Sequence, residues 1–388
     1  MQGLSGDPPL AWQAFGDESR TGDENDKMRI SRLPASCLAR ERRGGVGQGE
    51  AILCGRFKGI TMASSLAAVL AAETERLARQ TARTSFDLFK ITVPISFLVK
   101  ILSDAGVIGV LGSFLRPFMD LVGLPGSMGL VWAAGLMTNL YAALVVFASL
   151  AAETTLTVAQ VTVLATMLLI AHALPVEIRI AQMAGARFGV MIALRLFAAL
   201  FLGWGLNHCY RLGGFLQQPS RLMWKPTAPD PSWSAWVIGE LQTMTMICAI
   251  ILVLLAIMRI LEKAKILDFF CRLLERPLIA LGMTGKAAPI TVIGMTLGLS
   301  YGGALIIQEA RSGRLNPRDV FLSLVLMGLC HSIVEDTLLM MLAGGHLSGL
   351  FAARLLFSVT AVFLLGKFFQ RISEESFRRY FFPPLSGA

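Results

Sequence analysis

Charged residues are scarce in this sequence. Only 16% of its 388 residues are Asp, Glu, Lys or Arg, whereas 54% are hydrophobic. An ordinary soluble domain carries about 25% charged residues, so the composition excludes that class and predicts a polytopic, all-α membrane protein. The net charge of +9 is then typical of basic cytoplasmic loops, and we expect no nucleic-acid partner.

Motifs for cofactors and metals are lacking too. The six cysteines form no CxxC pair, and there is no P-loop, no HExxH and no Cys/His cluster at metal-ligand spacing. We therefore expect no cofactor and no metal. Ser300, His331 and Glu335 could be imagined as a hydrolase triad, but no nucleophile elbow surrounds Ser300. The protein is not expected to be an enzyme.

The segment 1–61 is rich in glycine and charge, lacks a signal-peptide core, and is predicted to be disordered. Residues 62–88 place apolar side chains at helical spacing and predict an amphipathic interfacial helix. The remaining divisions are a first repeat at 89–206, a polar, proline-rich connecting loop at 207–237, a second repeat at 238–370 and a basic cytoplasmic tail at 371–388.

The ionisable residues that are unfavourable to bury in a membrane occur in the same pattern twice in the sequence. His172, Glu177 and Arg195 align without gaps on His331, Asp336 and Arg354. Further matches along the chain keep nearly the same offset. Such self-similarity predicts two structural repeats.

Charge placement predicts that the two repeats are inverted. The connection at 104–127 carries one basic residue, whereas its equivalent at 259–286 carries six. Because the two equivalent connections differ in their number of basic residues, they are expected to lie on opposite sides of the membrane. Inversion requires an odd number of crossings in each half, which one re-entrant hairpin provides. We expect the hairpins at 157–182 and 318–343, where Pro175 and polar residues interrupt the apolar runs.

Glu177 precedes Arg195 by the same spacing as Asp336 precedes Arg354. A charge at membrane depth is tolerated when it is paired, so this spacing predicts two structural ion pairs. Direct contact of the acidic residues with a substrate or ion is the alternative.

Glu335 has no acidic counterpart in the first repeat, where Val176 occupies the position. Two adjacent carboxylates, Glu335 and Asp336, suit proton or cation coupling. His331 could share a proton path. Because His172 matches it, a histidine that only packs between helices is the alternative reading.

Polar residues beside glycines form a second candidate group. Ser300 and Gln308 flank Gly302 and Gly303, and the first repeat keeps Asn139 in the equivalent stretch. Glycine permits irregular backbone, which membranes tolerate only around a protein-lined cavity. These side chains are therefore candidate solute ligands. The alternative is that the glycines merely allow close helix packing.

Two stretches, residues 298–341 and 168–187, resemble the nucleoside-recognition, or Gate, domain family. That family includes bacterial spore-maturation proteins, the membrane gates of the ferrous-iron transporter and part of the concentrative nucleoside transporters. The resemblance covers about 89–370 as two Gate units and implies inverted membrane repeats with hairpins. A cysteine-based iron-gate motif and a cytosolic GTPase are not found in the sequence.

The sequence thus predicts a multi-pass protein of the bacterial inner membrane that moves a small polar solute or ion through a midplane site between the repeats. Its partners would be membrane lipid and the solute, with a homo-oligomer or a membrane partner protein left open. The alternative is a non-transporting membrane scaffold, as the resemblance to spore-maturation proteins allows.

Overall fold

The computed structural model describes residues 48–151, 154–220, 232–265, 269, 283–284 and 287–383. The chain divides into two compact units, Met1–Glu73 and Thr74–Ala388, and apart from the helical residues before Thr74 the features below belong to the second. The predicted disorder of residues 1–47 lies outside the described residues. Residues 48–61, included in that prediction, are helical.

Helices account for nearly all of the described chain, and no β-strand occurs in it. In chain order they are α1 (Gln48–Asp104), α2 (Val107–Leu121), α3 (Met128–Met137), α4 (Leu140–Ala151), α5 (Val158–Ile170), α6 (Leu174–Met183), α7 (Phe188–Gly213), α8 (Trp233–Lys263), α9 (Ala287–Leu297), α10 (Leu299–Arg311), α11 (Pro317–Cys330), α12 (Glu335–Leu342), a π-helical turn (Ser348–Ala353), α13 (Arg354–Arg371) and α14 (Glu374–Tyr380).

Five helical stretches of the described chain are long and apolar enough to cross a membrane: Val158–Met183, Phe188–Gly213, Trp233–Leu261, Pro317–Leu342 and Ser348–Arg371. This confirms the predicted all-α polytopic membrane protein. The stretches formed by α5–α6 and α11–α12 are mostly buried, at 83% and 67%, whereas α8 is only 22% buried. The two interrupted helices therefore lie inside the bundle, and α8 lies at its edge.

Helix boundaries repeat at one fixed offset, the same offset that separates His172 from His331. The starts of α3, α4 and α5 at Met128, Leu140 and Val158 recur at this offset as the starts of α9, α10 and α11. Packing repeats as well, since α3 contacts α4 and α5 in the same way that α9 contacts α10 and α11. The two halves of the chain therefore share one local architecture.

The fold-back points differ from the prediction. Helix α3 packs along α4, and α9 packs along α10, so residues 128–151 and 287–311 form the helical hairpins. Within the described chain, α5 does not pack along α6, nor α11 along α12. The predicted hairpins at 157–182 and 318–343 are therefore broken helices that continue onward.

Small residues explain where the chain folds back. A Cβ on Gly302 would overlap the Cα of Gly294 across the second hairpin, and a Cβ on Gly135 would meet Ala143 across the first. In each pair the two residues are equally far along the chain from the tip of their hairpin. That tip is Asn139 in the first hairpin and Gly298 in the second. Backbones can approach closely only where side chains are this small.

The segments predicted as loop and tail are more ordered than expected. Helices α7 and α8 extend into the predicted connecting loop from both sides, and residues 221–231 of that loop lie outside the described residues. After Arg371 the chain forms α14 and packs back on the protein, with Phe377 fully buried. Phe377 lies edge-on to Phe321 and Phe369, so this tail is part of the core.

Candidate functional site

The two broken helices are interrupted in the same way. After α5 the chain passes through His172 and Ala173 before α6 begins, and after α11 it passes through His331 and Ser332. Ala173 and Ser332 both adopt a left-handed backbone, with φ of 47° and 44°. Non-glycine residues rarely hold this conformation, and they do so mainly where the surrounding structure enforces it.

Backbone hydrogen bonds to the hairpins fix both breaks. The Ala173 amide donates to the Gly135 carbonyl at 2.9 Å, and the Ile333 amide donates to the Met295 carbonyl at 3.1 Å. Pro175 lies in the first turn of α6, where its missing amide hydrogen costs little. Each hairpin thus supports the interrupted backbone of its own repeat.

Two buried arginines satisfy carbonyls that the breaks release. Arg195 Nε donates to the Ile170 carbonyl, at the end of α5, over 3.0 Å. Arg354 Nε donates to the Leu329 carbonyl of α11, also over 3.0 Å. The last carbonyls of a helix have no partner within it and carry partial negative charge. Each arginine therefore acts as a cap supplied by the following helix.

The predicted ion pairs form in only one repeat. Arg195 Nη1 donates to Glu177 Oε2. Arg354 Nη2 instead donates to the His331 carbonyl at 2.8 Å. Among the described residues, no ion pair within 4.0 Å joins Asp336 to Arg354, and Asp336 Oδ2 is buried without a hydrogen-bond partner. The aspartate side chain is one methylene shorter than that of Glu177, and Arg354 directly follows the π-helical turn.

The two histidines meet between the repeats. Their ring centroids are 4.9 Å apart, and their Nε2 atoms are 3.3 Å apart. Glu177 Oε1 lies 3.3 Å from His172 Nε2 and 3.2 Å from His331 Nε2. All three side chains are buried. They form a nearly equilateral triangle of ligand-type atoms, which we call the His–His–Glu centre.

Both histidines are oriented by a backbone carbonyl. His172 Nδ1 and His331 Nδ1 lie 2.9 Å from the Leu168 and Met327 carbonyls, respectively. A carbonyl oxygen only accepts, so each Nδ1 carries the hydrogen and each Nε2 faces the centre. A small cavity adjoins the centre, lined by Glu177, Ile178, Ala181, Met191, Arg195, Leu324 and Gly328.

The acidic pair predicted for coupling lies at the start of α12. Glu335 and Asp336 are both partly buried in the first turn of this helix, where the helix dipole favours negative charge. The first-repeat counterpart of Glu335, Val176, is 63% exposed.

The other predicted ligands belong to the two hairpins. Asn139 is at the tip of the first hairpin, where its Oδ1 accepts from the Ala142 amide at 2.9 Å and caps α4. Gln308 is exposed and lies near the C-terminal end of α10. Along the helix it is about 15 Å from the hairpin tip at Gly298. Ser300 lies in the first turn of α10. Gly303 packs on Ile180 of the first repeat, so close packing accounts for this glycine.

Sequence reasoning missed the meeting of the two histidines and the carbonyl caps. His172 and His331 are 159 residues apart, and no motif spacing covers that distance. The repeat itself was the available signal, because equivalent residues beside a symmetry axis often touch each other.

Comparisons with known proteins show the family to which the chain is related. The model of the Gate family, described as nucleoside recognition, matches residues 85–187. The membrane protein YvoD of Bacillus subtilis, itself uncharacterized, is 31% identical over 260 residues, which cover 66% of this chain and 82% of YvoD.

A solved structure shares the fold. It is that of a double variant of CNTnw in an outward-facing state, with a TM-score of 0.50 and 15% identity over 82% of this chain and 88% of CNTnw. At this identity the likeness concerns the fold alone. The Gate match and the relation to YvoD show that the chain belongs to the Gate family, whose model is described as nucleoside recognition.

Proposed function

We propose that this protein is a transporter of the bacterial inner membrane that moves a small polar solute or ion. The observation that carries the proposal is the meeting of two broken helices at a buried polar centre between the repeats. Broken helices expose backbone dipoles and carbonyls at membrane depth, and transporters use them to bind solutes and ions. A purely structural bundle would have less reason to bury such costly groups.

The proposed mechanism is movement of one repeat against the other around this centre. The shared fold with CNTnw supports it, since that protein has been observed in an outward-facing state. The charge bias of the loops supports inverted repeats, whose rocking would open the centre to either side in turn. Nucleosides are one substrate class to test, because the family model is described as nucleoside recognition.

Glu335 is the residue to which we assign coupling. It is partly buried at the start of α12, beside Asp336, and its counterpart in the first repeat is Val176. The scaffold elements of the site, His172 with His331 and Arg195 with Arg354, occur in both repeats. An acidic group found in one repeat only is therefore the better candidate for coupling than for architecture.

Uptake into proteoliposomes tests the proposal. The purified full-length protein would be reconstituted and offered a panel of nucleosides, amino acids and metal ions, with and without a proton gradient. We expect uptake of at least one class, and its loss in Glu335→Gln. The matched control is Glu375→Gln, at an exposed residue of α14, which should retain full uptake.

The opposite outcome identifies a scaffold. If no solute of the panel enters vesicles and the protein copurifies with a stoichiometric membrane partner, transport of these solutes is excluded and the scaffold function replaces the proposal. The exposed face of α8, including Val237, Leu241, Leu252 and Val253, is the first surface to examine for such a partner by cross-linking.

A further inference from the structure

We infer that the His–His–Glu centre is a binding site for a divalent first-row transition metal ion of the Zn²⁺ or Fe²⁺ type. The ligand atoms would be His172 Nε2, His331 Nε2 and Glu177 Oε1. All three residues are buried, and their side chains are close enough together to hold one metal ion. The inference concerns binding alone and does not depend on transport.

The spacing of the three atoms fits a metal. Their separations are 3.2, 3.3 and 3.3 Å. Ligands of a tetrahedral ion at about 2.0 Å from the metal lie about 3.3 Å from one another. Two imidazoles and one carboxylate are an established ligand set for zinc and for non-haem iron, with remaining positions open to water or substrate.

The hydrogen bonds around the centre leave three acceptors facing one another. Because each Nδ1 hydrogen is donated to a carbonyl, neutral His172 and His331 both direct a lone pair inwards. The carboxylate oxygen Oε1 adds a third electron-rich atom at the same distance. Three acceptors converging in a buried space repel one another unless a cation lies between them. A metal ion satisfies all three at once.

The surroundings resemble the outer shell of known metal sites. Metal-binding histidines usually donate their other N–H to a carbonyl, and ligating carboxylates are themselves hydrogen-bonded. Here the Leu168 and Met327 carbonyls hold the two rings, and Arg195 holds Glu177 Oε2, leaving Oε1 for the ion.

Direct binding measurements test the site. The chain contains four histidines, and the other two, His208 and His346, are exposed. The full chain, purified in detergent with a non-histidine tag and stripped with chelator, would be titrated with Co²⁺ and Zn²⁺. We expect one ion per chain, with a Co²⁺ visible spectrum of imidazole–carboxylate coordination.

Substitutions then assign the ligands. Outer-shell mutations at metal sites cost about 10- to 100-fold in affinity, so His172→Ala or His331→Ala should weaken binding by about 100-fold or more. The double variant His208→Ala/His346→Ala is the matched control and should bind like the wild type. Loss of stoichiometric binding in that control instead would overturn the site.

One measurement avoids substitutions that fail to fold. X-ray absorption of the Zn²⁺-loaded wild type should show two imidazoles among nitrogen and oxygen ligands at about 2.0–2.1 Å. Absence of an imidazole shell, or absence of stoichiometric metal in the wild type, would refute the proposal. Metal binding and uptake are measured separately, so failure of the metal site and failure of transport are distinguishable.

Discussion

Ala173 and Ser332 share a left-handed backbone conformation at equivalent positions of the two repeats, each directly after a buried histidine. A left-handed residue with a Cβ costs about 1–2 kcal/mol relative to a right-handed one. The hydrogen bonds from both breaks to the hairpins offset that cost. The strain is therefore a property of the repeat and not of one local sequence.

Ala173→Gly is expected to leave stability unchanged or raise it by up to about 1 kcal/mol, because relief of the left-handed strain outweighs the greater freedom of glycine in the unfolded chain. Ala173→Val should lower it, since β-branched residues fit this conformation poorly. Thermal unfolding in detergent measures both. Ala193→Gly, at an exposed position inside α7, is the control and should lose about 1 kcal/mol. A loss of similar size in Ala173→Gly would contradict the strain.

Arg195→Met should destabilise the protein by about 3–5 kcal/mol, because it leaves the buried Glu177 carboxylate without its cation. Arg354→Met should cost less, about 1–3 kcal/mol, since it releases carbonyls but no paired carboxylate. Chemical unfolding in detergent would compare them. The exposed Arg179→Met serves as control, with a change of about 0.5 kcal/mol or less.

The double variant Arg195→Met/Glu177→Gln checks the cause of that loss. If charge burial dominates, the double variant should be more stable than Arg195→Met alone. Equal stability would mean that the carbonyl cap, and not the ion pair, carries the effect.

Gly302→Ala should destabilise the second hairpin by about 1–3 kcal/mol, because its new Cβ would overlap the backbone of Gly294. Gly239→Ala is the matched control within α8, where a Cβ meets nothing within 4 Å. That substitution should be neutral or stabilising by up to about 1 kcal/mol. Melting temperatures of the two variants give the comparison, and equal values would exclude close packing at Gly302.

Phe377→Ala should cost about 3–5 kcal/mol, as is usual for removal of a buried aromatic ring. The ring packs on Phe321 and Phe369 in the core. Tyr380→Ala, at a residue 54% exposed in the same helix, should have little effect. Thermal unfolding and expression level distinguish the two variants. If Phe377→Ala melts like the wild type, the C-terminal segment is a dispensable tail after all.

The sequence was sufficient for the membrane class, the repeat and most helices. Apolar runs follow from membrane solvation, and the gapless match of His172 to Arg195 on His331 to Arg354 set the repeat offset. The predicted position of the hairpins was wrong, because a proline and a histidine can interrupt a helix without reversing the direction of the chain. Reversal depends on close backbone contact, and the pairs Gly135 with Ala143 and Gly294 with Gly302 were the unread signal.

The site was less predictable because it depends on long-range contacts. Spacing suggested that Glu177 and Asp336 play the same role, yet only Glu177 reaches an arginine and both histidines. One methylene group and a π-helical turn separate the two outcomes, and neither effect can be calculated from a repeat alignment. The roles of Glu335 and Asp336 stay predictions.

The carbonyl caps have a consequence for biosynthesis. In both repeats the capping arginine follows its carbonyl by 25 residues. The carbonyl end of each broken helix therefore leaves the ribosome 25 residues before its cap does. During that interval its end must be solvated by water or by the insertion machinery. Membrane insertion of each broken helix should thus be completed only together with the helix that follows it.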